Sequence, residues 1–277
     1  MSTKISSIAD IKHIFYINLA ARTDRRQHIE AQLPLVGLTA FERFNAVKLP
    51  NGLVGCGMSH IKCLELAKER GYDHLLICED DLLFLDPPLF QKQFNTFLQN
   101  NHQWDVVLLA GNNVPPYRRV DDTCVAVTRC QTTTGYLIAG HYFDTLLNNL
   151  KEGIAKLMRE PTKHIDYALD KYWMHLQQKD KWFLITPLTV VQREDYSDIQ
   201  LQRTNYAHLM TDLDKLWLGG TPARSASPHP HYGISGCTWG VPPHTPPLRD
   251  RRMHLVPTSI QSNHPQATPP QVHPPIP

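Results

Sequence analysis

Short, wholly apolar runs recur along the chain, and each ends on a cluster of polar residues. The first, Ile14-Phe15-Tyr16-Ile17, stops at Asn18-Leu19 ahead of Arg22-Thr23-Asp24-Arg25-Arg26. It reads as a strand that feeds a loop and a helix. That helix, capped by Thr23 or Asp24, is expected to pass through Ile29 and Leu33 and to stop before Pro34. A second helix is predicted after the glycines 52, 55 and 57, with Ser59 as its cap, Ile61, Leu64 and Ala67 at helical spacing and Gly71 at its end. The run 74–78 suits a strand buried on both faces. A helix over 89–98 leads to another buried run, 104–109, which closes at Gly111-Asn112-Asn113. Later elements are a strand over 135–140, helices over 143–150 and 165–176, and a last strand over 182–186.

Strands alternating with helices predict an α/β fold with a mostly parallel sheet. Ligands of such sheets bind outside the carboxyl ends of the strands. The polar groups at 18–26, 79–81 and 111–113 all fall on that edge.

Composition divides the chain near Gly219-Gly220. Of its 22 prolines, 14 fall in 221–277, together with six of the 15 histidines. A segment such as Pro242-Pro243-His244-Thr245-Pro246-Pro247 buries too little apolar surface to offset its ordering entropy. The expectation is one folded domain over 1–218 and a disordered Pro/His-rich tail over 219–277, with a metal-binding tract, a docking peptide or an out-of-frame end as the other readings.

The net charge of +2, without a basic and aromatic stripe, argues against a nucleic-acid partner. No run approaches the ~18 apolar residues of a membrane span, and the polar start 1–10 is no signal peptide. The expected location is cytoplasmic; peripheral contact with a membrane stays open. The six cysteines contain no C-x-x-C pair, so reduced thiols are expected. Cys56, His60 and Cys63 have the spacing of zinc ligands without an evident fourth, against the plainer reading of buried thiols beside a helical histidine.

The strongest chemical signal is Glu79-Asp80-Asp81, delivered by the run Leu75-Leu76-Ile77-Cys78. Three acids after a strand often do no more than cap a helix or face water, but surface acids rarely follow a fully apolar run. Hard divalent cations choose carboxylate oxygens and keep positions free for phosphate and water. Such an ion neutralises charge on a departing nucleoside diphosphate. Strand alternation would set Glu79 and Asp81 on one side and Asp80 on the other.

Several blocks, in order, resemble glycosyltransferase family 25, the group of bacterial lipooligosaccharide galactosyltransferases and procollagen galactosyltransferase domains. They are F-Y-I-N-L-A-A-R-T-D-R-R from Phe15, Gly55-Cys56-Gly57-Met58-Ser59-His60, Leu76 to Asp81, Thr134-Gly135-Tyr136-Leu137-Ile138, and Arg193-Glu194-Asp195-Tyr196-Ser197-Asp198-Ile199. The resemblance spans about 14–200. It implies a GT-A-type, Rossmann-like sheet flanked by helices, and an inverting, UDP-sugar-dependent hexosyltransferase of lipopolysaccharide biosynthesis that uses Mn²⁺ or Mg²⁺. The acceptor would be a glycan or hydroxylysine.

On this reading Asn18, Arg22 and Arg25 meet the nucleoside diphosphate, although Arg residues also pair with nearby acids and Asn18 with a helix end. Ser59 and His60 are substrate contacts or a cap and a packed residue. Glu79 and Asp80 serve the donor, and Asp81, Glu79 and His208 are the metal candidates. Asp166, which opens a late helix, and Asp198 are candidates for the base that takes the acceptor proton, or are plain caps. An inactive nucleotide- or glycan-binding module and a metal-dependent nucleotide-sugar diphosphate hydrolase are the competing readings.

Overall fold

The computed structural model describes residues 5–100, 102–197, 199 and 202–216. The tail and its boundary therefore lie outside the described residues, as does Asp198.

The chain begins with β1 (Ile14–Asn18), α1 (Thr23–Leu35), β2 (Phe41–Asn45), α2 (Gly52–Glu69), β3 (His74–Glu79), β4 (Leu82–Phe84) and α3 (Pro87–Gln99). It continues through β5 (Val106–Leu108), β6 (Asn112–Asn113), β7 (Arg118–Arg119), β8 (Cys124–Ala126), β9 (Cys130–Gln131), β10 (Gly135–Ala139) and α4 (Phe143–Arg159). Three one-turn helices follow, α5 (His164–Tyr167), α6 (Leu169–Tyr172) and α7 (Met174–Gln177). The last elements are β11 (Trp182–Ile185), β12 (Val190–Gln192), β13 (Asp195–Ser197), β14 (Gln202–Thr204) and α8 (Ala207–Met210).

The central sheet has eight strands in the order β2-β1-β3-β10-β5-β11-β8-β7. Only β10 and β8 run against the other six. This is the mostly parallel α/β sheet that the alternation implies. Strands β1, β3, β5, β10 and β11 are buried on both faces, which is why they read as continuous apolar runs. Phe15, Leu75, Ile77 and Tyr136 pack with α2 and α4 on one face. Tyr16, Leu76, Cys78 and Leu137 pack with α1 and α3 on the other.

Helix boundaries differ from the sequence reading at three places that matter to the site. Helix α1 includes Pro34 and ends where Gly37, at φ 84°, gives its N–H to the Pro34 carbonyl (3.0 Å) and Leu38 gives its own to Leu33 (3.1 Å). A left-handed glycine closes the last turn and Pro34 does not. Helix α2 starts two turns before Ser59, capped by Asn51, whose Oδ1 accepts from the N–H groups of Leu53 (3.1 Å) and Val54 (3.4 Å). Ser59 is buried mid-helix instead. Its hydroxyl donates to the Gly55 carbonyl (2.8 Å) and accepts from the Val47 N–H (2.8 Å), which ties the loop after β2 to the helix.

The expected helix over 165–176 is broken at Ala168, whose ψ of 147° is extended. The chain there is hooked onto the β9 region, where Asp170 accepts from the Thr132 N–H (3.1 Å) and the Trp173 indole donates to the Cys130 carbonyl (3.0 Å). Nor is β11 the last strand: β12 pairs antiparallel with β4, and β13 with β14. Those added strands bring 192–197 and 202–206 over the carboxyl ends of β1 and β3.

A Cβ at Gly55 would stand 2.6 Å from the Val47 carbonyl oxygen and 3.3 Å from the Leu49 N–H nitrogen, both backbone atoms. Gly55→Ala must therefore displace the loop over 45–49, and overpacking of this kind costs about 1–3 kcal/mol. We expect a lower melting temperature by calorimetry; an unchanged one would show that the loop gives way at no cost.

Candidate active site

Asn18 ends β1, Asn45 ends β2 and Glu79 ends β3, so three parallel strands deliver polar residues to one edge. A cavity of about 640 Å³ opens there, walled by the loop over 45–49, the first half of α2 and Gln192, Arg193, Ser197, Ile199, Thr204 and Tyr206. Arg22, Arg25, Ser59, His60, Glu79, Asp80 and Asp81 all line it.

The acidic triplet does not alternate as an extended strand would. The chain turns at Asp80-Asp81, and both aspartates reach one guanidinium. Arg25 Nη1 donates to Asp80 Oδ1 (2.9 Å) and to Asp81 Oδ2 (3.1 Å). Glu79 sits apart, its Oε1 accepting from the Thr133 hydroxyl (2.6 Å) and its Oε2 from the Gln192 amide (3.3 Å).

Asn18 is buried and does not reach the cavity. Its amide nitrogen donates to Asp80 Oδ2 (2.7 Å) and to the Arg22 carbonyl (3.0 Å), and its Oδ1 accepts from Arg43 (2.9 Å). With every polar atom used, it positions Asp80, and the expected nucleotide contact does not follow.

The three guanidinium groups of Arg22, Arg25 and Arg193 converge on Asp195. Its Oδ2 accepts from Arg22 Nη2 (3.0 Å), Arg25 Nε (3.1 Å) and Arg193 Nη2 (2.6 Å). Burial alone would raise the Asp195 carboxyl, but Arg193 and Arg25 hold it well below the usual carboxylate range. Arg193 and Asp195 stand in the motif 193–199, which marked the segment without marking their roles.

The carboxylates at the strand end are poised unequally. Burial pushes the Asp81 carboxyl up to about 7, and the neighbouring Glu79 charge adds to it against the pull of Arg25. Burial would raise Glu79 as well, yet the contacts of His60 and Thr133 leave it lowered. The negative charge of the pair thus rests on Glu79. Asp81 Oδ1 is buried without a hydrogen-bond partner. A lone-pair oxygen in that state, beside a second carboxylate, suits a hard divalent cation, and Glu79 and Asp81 supply the oxygen donors it selects. His208 does not join them: it is exposed on α8 and is not part of the cavity wall.

Asp166 is exposed on α5 and likewise lies off the wall. Four residues on, Asp170 is partly buried, its carboxyl raised by burial, with the Glu79 charge adding to the shift. The i, i+4 spacing of the two acids was visible in the sequence, but the break at Ala168 that separates their surroundings was not. The zinc spacing also resolves differently. Cys63 is fully buried in the core between α2 and the sheet, while Cys56 and His60, one turn apart on α2, face Glu79.

Residues 46–169 match the family model described as Glycosyltransferase family 25 (LPS biosynthesis protein). That segment is similar to glycosyltransferase family 25. It contains the G-C-G-M-S-H block, the acidic triplet and the G-Y block, whereas the opening and closing blocks lie outside the matched residues. No curated protein matches the sequence.

Among solved structures, a glycosyltransferase involved in glycosylation of the major capsid of PBCV-1 is similar over 63% of this chain and 92% of its own, at 10% identity and a TM-score of 0.36. A Drosophila galactosyltransferase 7 mutant, in complex with manganese, UDP-Gal and xylobiose, aligns over 75% of this chain and 76% of its own, at 13% identity and 0.33. The 4-diphosphocytidyl-2C-methyl-D-erythritol synthase of Anaerococcus prevotii aligns over 71% and 79%, at 14% and 0.37. At such scores nothing about substrate follows from these likenesses. Among the described residues, no helix is long and apolar enough to cross a membrane.

Proposed function

We propose that this chain is a metal-dependent, inverting hexosyltransferase of the family 25 kind that moves galactose or glucose from a UDP-sugar to a saccharide or hydroxylysine acceptor. The observation that carries this reading is the orphaned, buried Asp81 Oδ1 beside Glu79 at the end of a parallel strand. Mn²⁺ or Mg²⁺ held by Asp81 and Glu79 would neutralise charge that develops on the departing diphosphate.

The protein's own groups prepare the rest. Arg22, Arg25 and Arg193 already gather around one anionic oxygen of Asp195, an arrangement suited to the oxygens of a diphosphate. Ile17, Val47 and Leu49 give the cavity apolar wall for a base. Asn18 keeps Asp80 in place against Arg25. Asp170, like Asp166, does not line the cavity, but burial and the Glu79 charge raise its carboxyl, the direction a base for the acceptor proton needs.

The test is purified protein with Mn²⁺ and a panel of UDP-sugars, with and without oligosaccharide and hydroxylysine peptide acceptors. Glycosylated acceptor and UDP as co-product are expected. UMP among the products would instead mark a diphosphate hydrolase, and saturable UDP binding without turnover a binding module.

A further inference from the structure

On the inner wall of the cavity, one turn of α2 presents Cys56 and His60 to the β3 terminus. Cys56 Sγ lies 3.9 Å from Glu79 Oε1, and His60 Nε2 lies 3.5 Å from the same oxygen. The three donor atoms all fall within 4.8 Å of one another. Ligand atoms at tetrahedral zinc bond lengths stand about 3.3–3.6 Å apart, so small rotations close the set.

His60 is the most telling member. Its side chain is fully buried, its Nδ1 is engaged by the Tyr136 hydroxyl (2.7 Å), and its Nε2 has no hydrogen bond. Orientation of a ring through its far nitrogen is the usual support of a metal-bound histidine. Glu79 Oε1 is fixed in the same manner by Thr133. Cys56, His60 and Glu79 all line the cavity, which would leave a fourth position for water.

We propose that Cys56 Sγ, His60 Nε2 and Glu79 Oε1 form a site for a borderline divalent cation, Zn²⁺ or Co²⁺, separate in chemistry from the oxygen-only site at Asp81 and inhibitory when filled. Thiolate and imidazole select such ions over Mn²⁺ and Mg²⁺. Binding forms a sulfur–metal bond and breaks the Cys56 S–H bond, releasing one proton to solvent with no change of oxidation state. Since Glu79 serves both sites, a filled thiolate site draws it from Asp81. This inhibitory consequence rests on the proposed transferase reading; the cation site does not.

The experiment is a Co²⁺ titration of the full chain carrying Cys237→Ser, which removes the thiol of the Pro/His-rich tail, followed by displacement with Zn²⁺. One equivalent with a near-ultraviolet thiolate-to-cobalt band is expected. Cys56→Ser should abolish the band and weaken Zn²⁺ binding at least 100-fold, with Cys56→Ala as a second variant and circular dichroism confirming that each is folded. Cys63→Ala and Asp81→Asn should keep the band. In the transfer assay, Zn²⁺ should inhibit the Mn²⁺-supported reaction. Absence of the band, or its survival in both Cys56 variants, overturns the site. A normal band in a protein that turns over no UDP-sugar would count against the transferase reading alone.

Discussion

Asp81→Asn is expected to lower sugar transfer by about 10³-fold or more, the scale on which loss of a group that stabilises developing charge acts, while making the cation-free protein more stable at pH 8. The two effects have one origin. The Asp81 carboxyl is raised to about 7 from an ordinary value of 3.8 because burial and the Glu79 charge disfavour its ionised form. Below about pH 4 the group is protonated in the folded and unfolded chains alike, and it costs nothing. Between about 4 and 7 the unfolded chain ionises first, so stability falls as pH rises. Above 7 the penalty is complete.

Asparagine cannot ionise. The melting-temperature gain of the variant should thus be near zero at pH 4, grow toward pH 7 and then level off. Mn²⁺ should raise the wild-type melting temperature at pH 8 and leave the variant's unmoved. A variant that melts below the wild type at pH 8, or one that retains transfer, would remove Asp81 from the centre of the site.

Arg25→Met works in the opposite sense on stability. Arg25 holds Asp80, Asp81 and Asp195 together, at 2.9, 3.1 and 3.1 Å, with its side chain only 13% exposed. Removing one partner of a largely buried ion cluster leaves unpaired charge and costs about 3–5 kcal/mol. For a domain of this size each kcal/mol is worth about 2–4 °C, so the melting temperature should drop by roughly 6–20 °C. The drop should be larger at pH 8 than at pH 5, because protonation relieves the stranded carboxylates. Affinity for UDP, read by calorimetry, should fall by at least about tenfold. A fall confined to stability, with UDP binding intact, would make Arg25 a structural tie and leave the diphosphate to Arg22 and Arg193.

The two substitutions mark what was legible in the chain. Asp81 could be found from sequence because a strand buried on both faces is an unbroken apolar run, and polar residues at its end can only be at the sheet edge. Arg25 was legible as a phosphate-type residue but not as the partner of both aspartates, because that depends on the turn at 80–81 that cancels strand alternation. Asp195 and Arg193 were visible within a motif and silent about role, since their meeting with Arg22 and Arg25 is made across more than 165 residues.

Asp166 misled for a related reason. Helical periodicity over 165–176 ignores the hooks of Asp170 and Trp173 onto the β9 region, which compete with a continuous helix and win. Ser59 misled through its residue type: a serine after glycines signals a cap, yet its hydroxyl is spent on bonds within α2 and to the loop after β2.

By itself the sequence determined the sheet, the edge that carries chemistry and the resemblance to family 25, because burial on both faces and motif order are written in local residue types. Only the tertiary structure decided which groups share the cavity. It set Asn18 behind Asp80, joined three arginines on Asp195, left His208 and Asp166 on the surface, and turned Cys56 and His60 toward Glu79. Those outcomes rest on contacts between segments far apart in the chain, whose geometry is fixed by packing that no local pattern records.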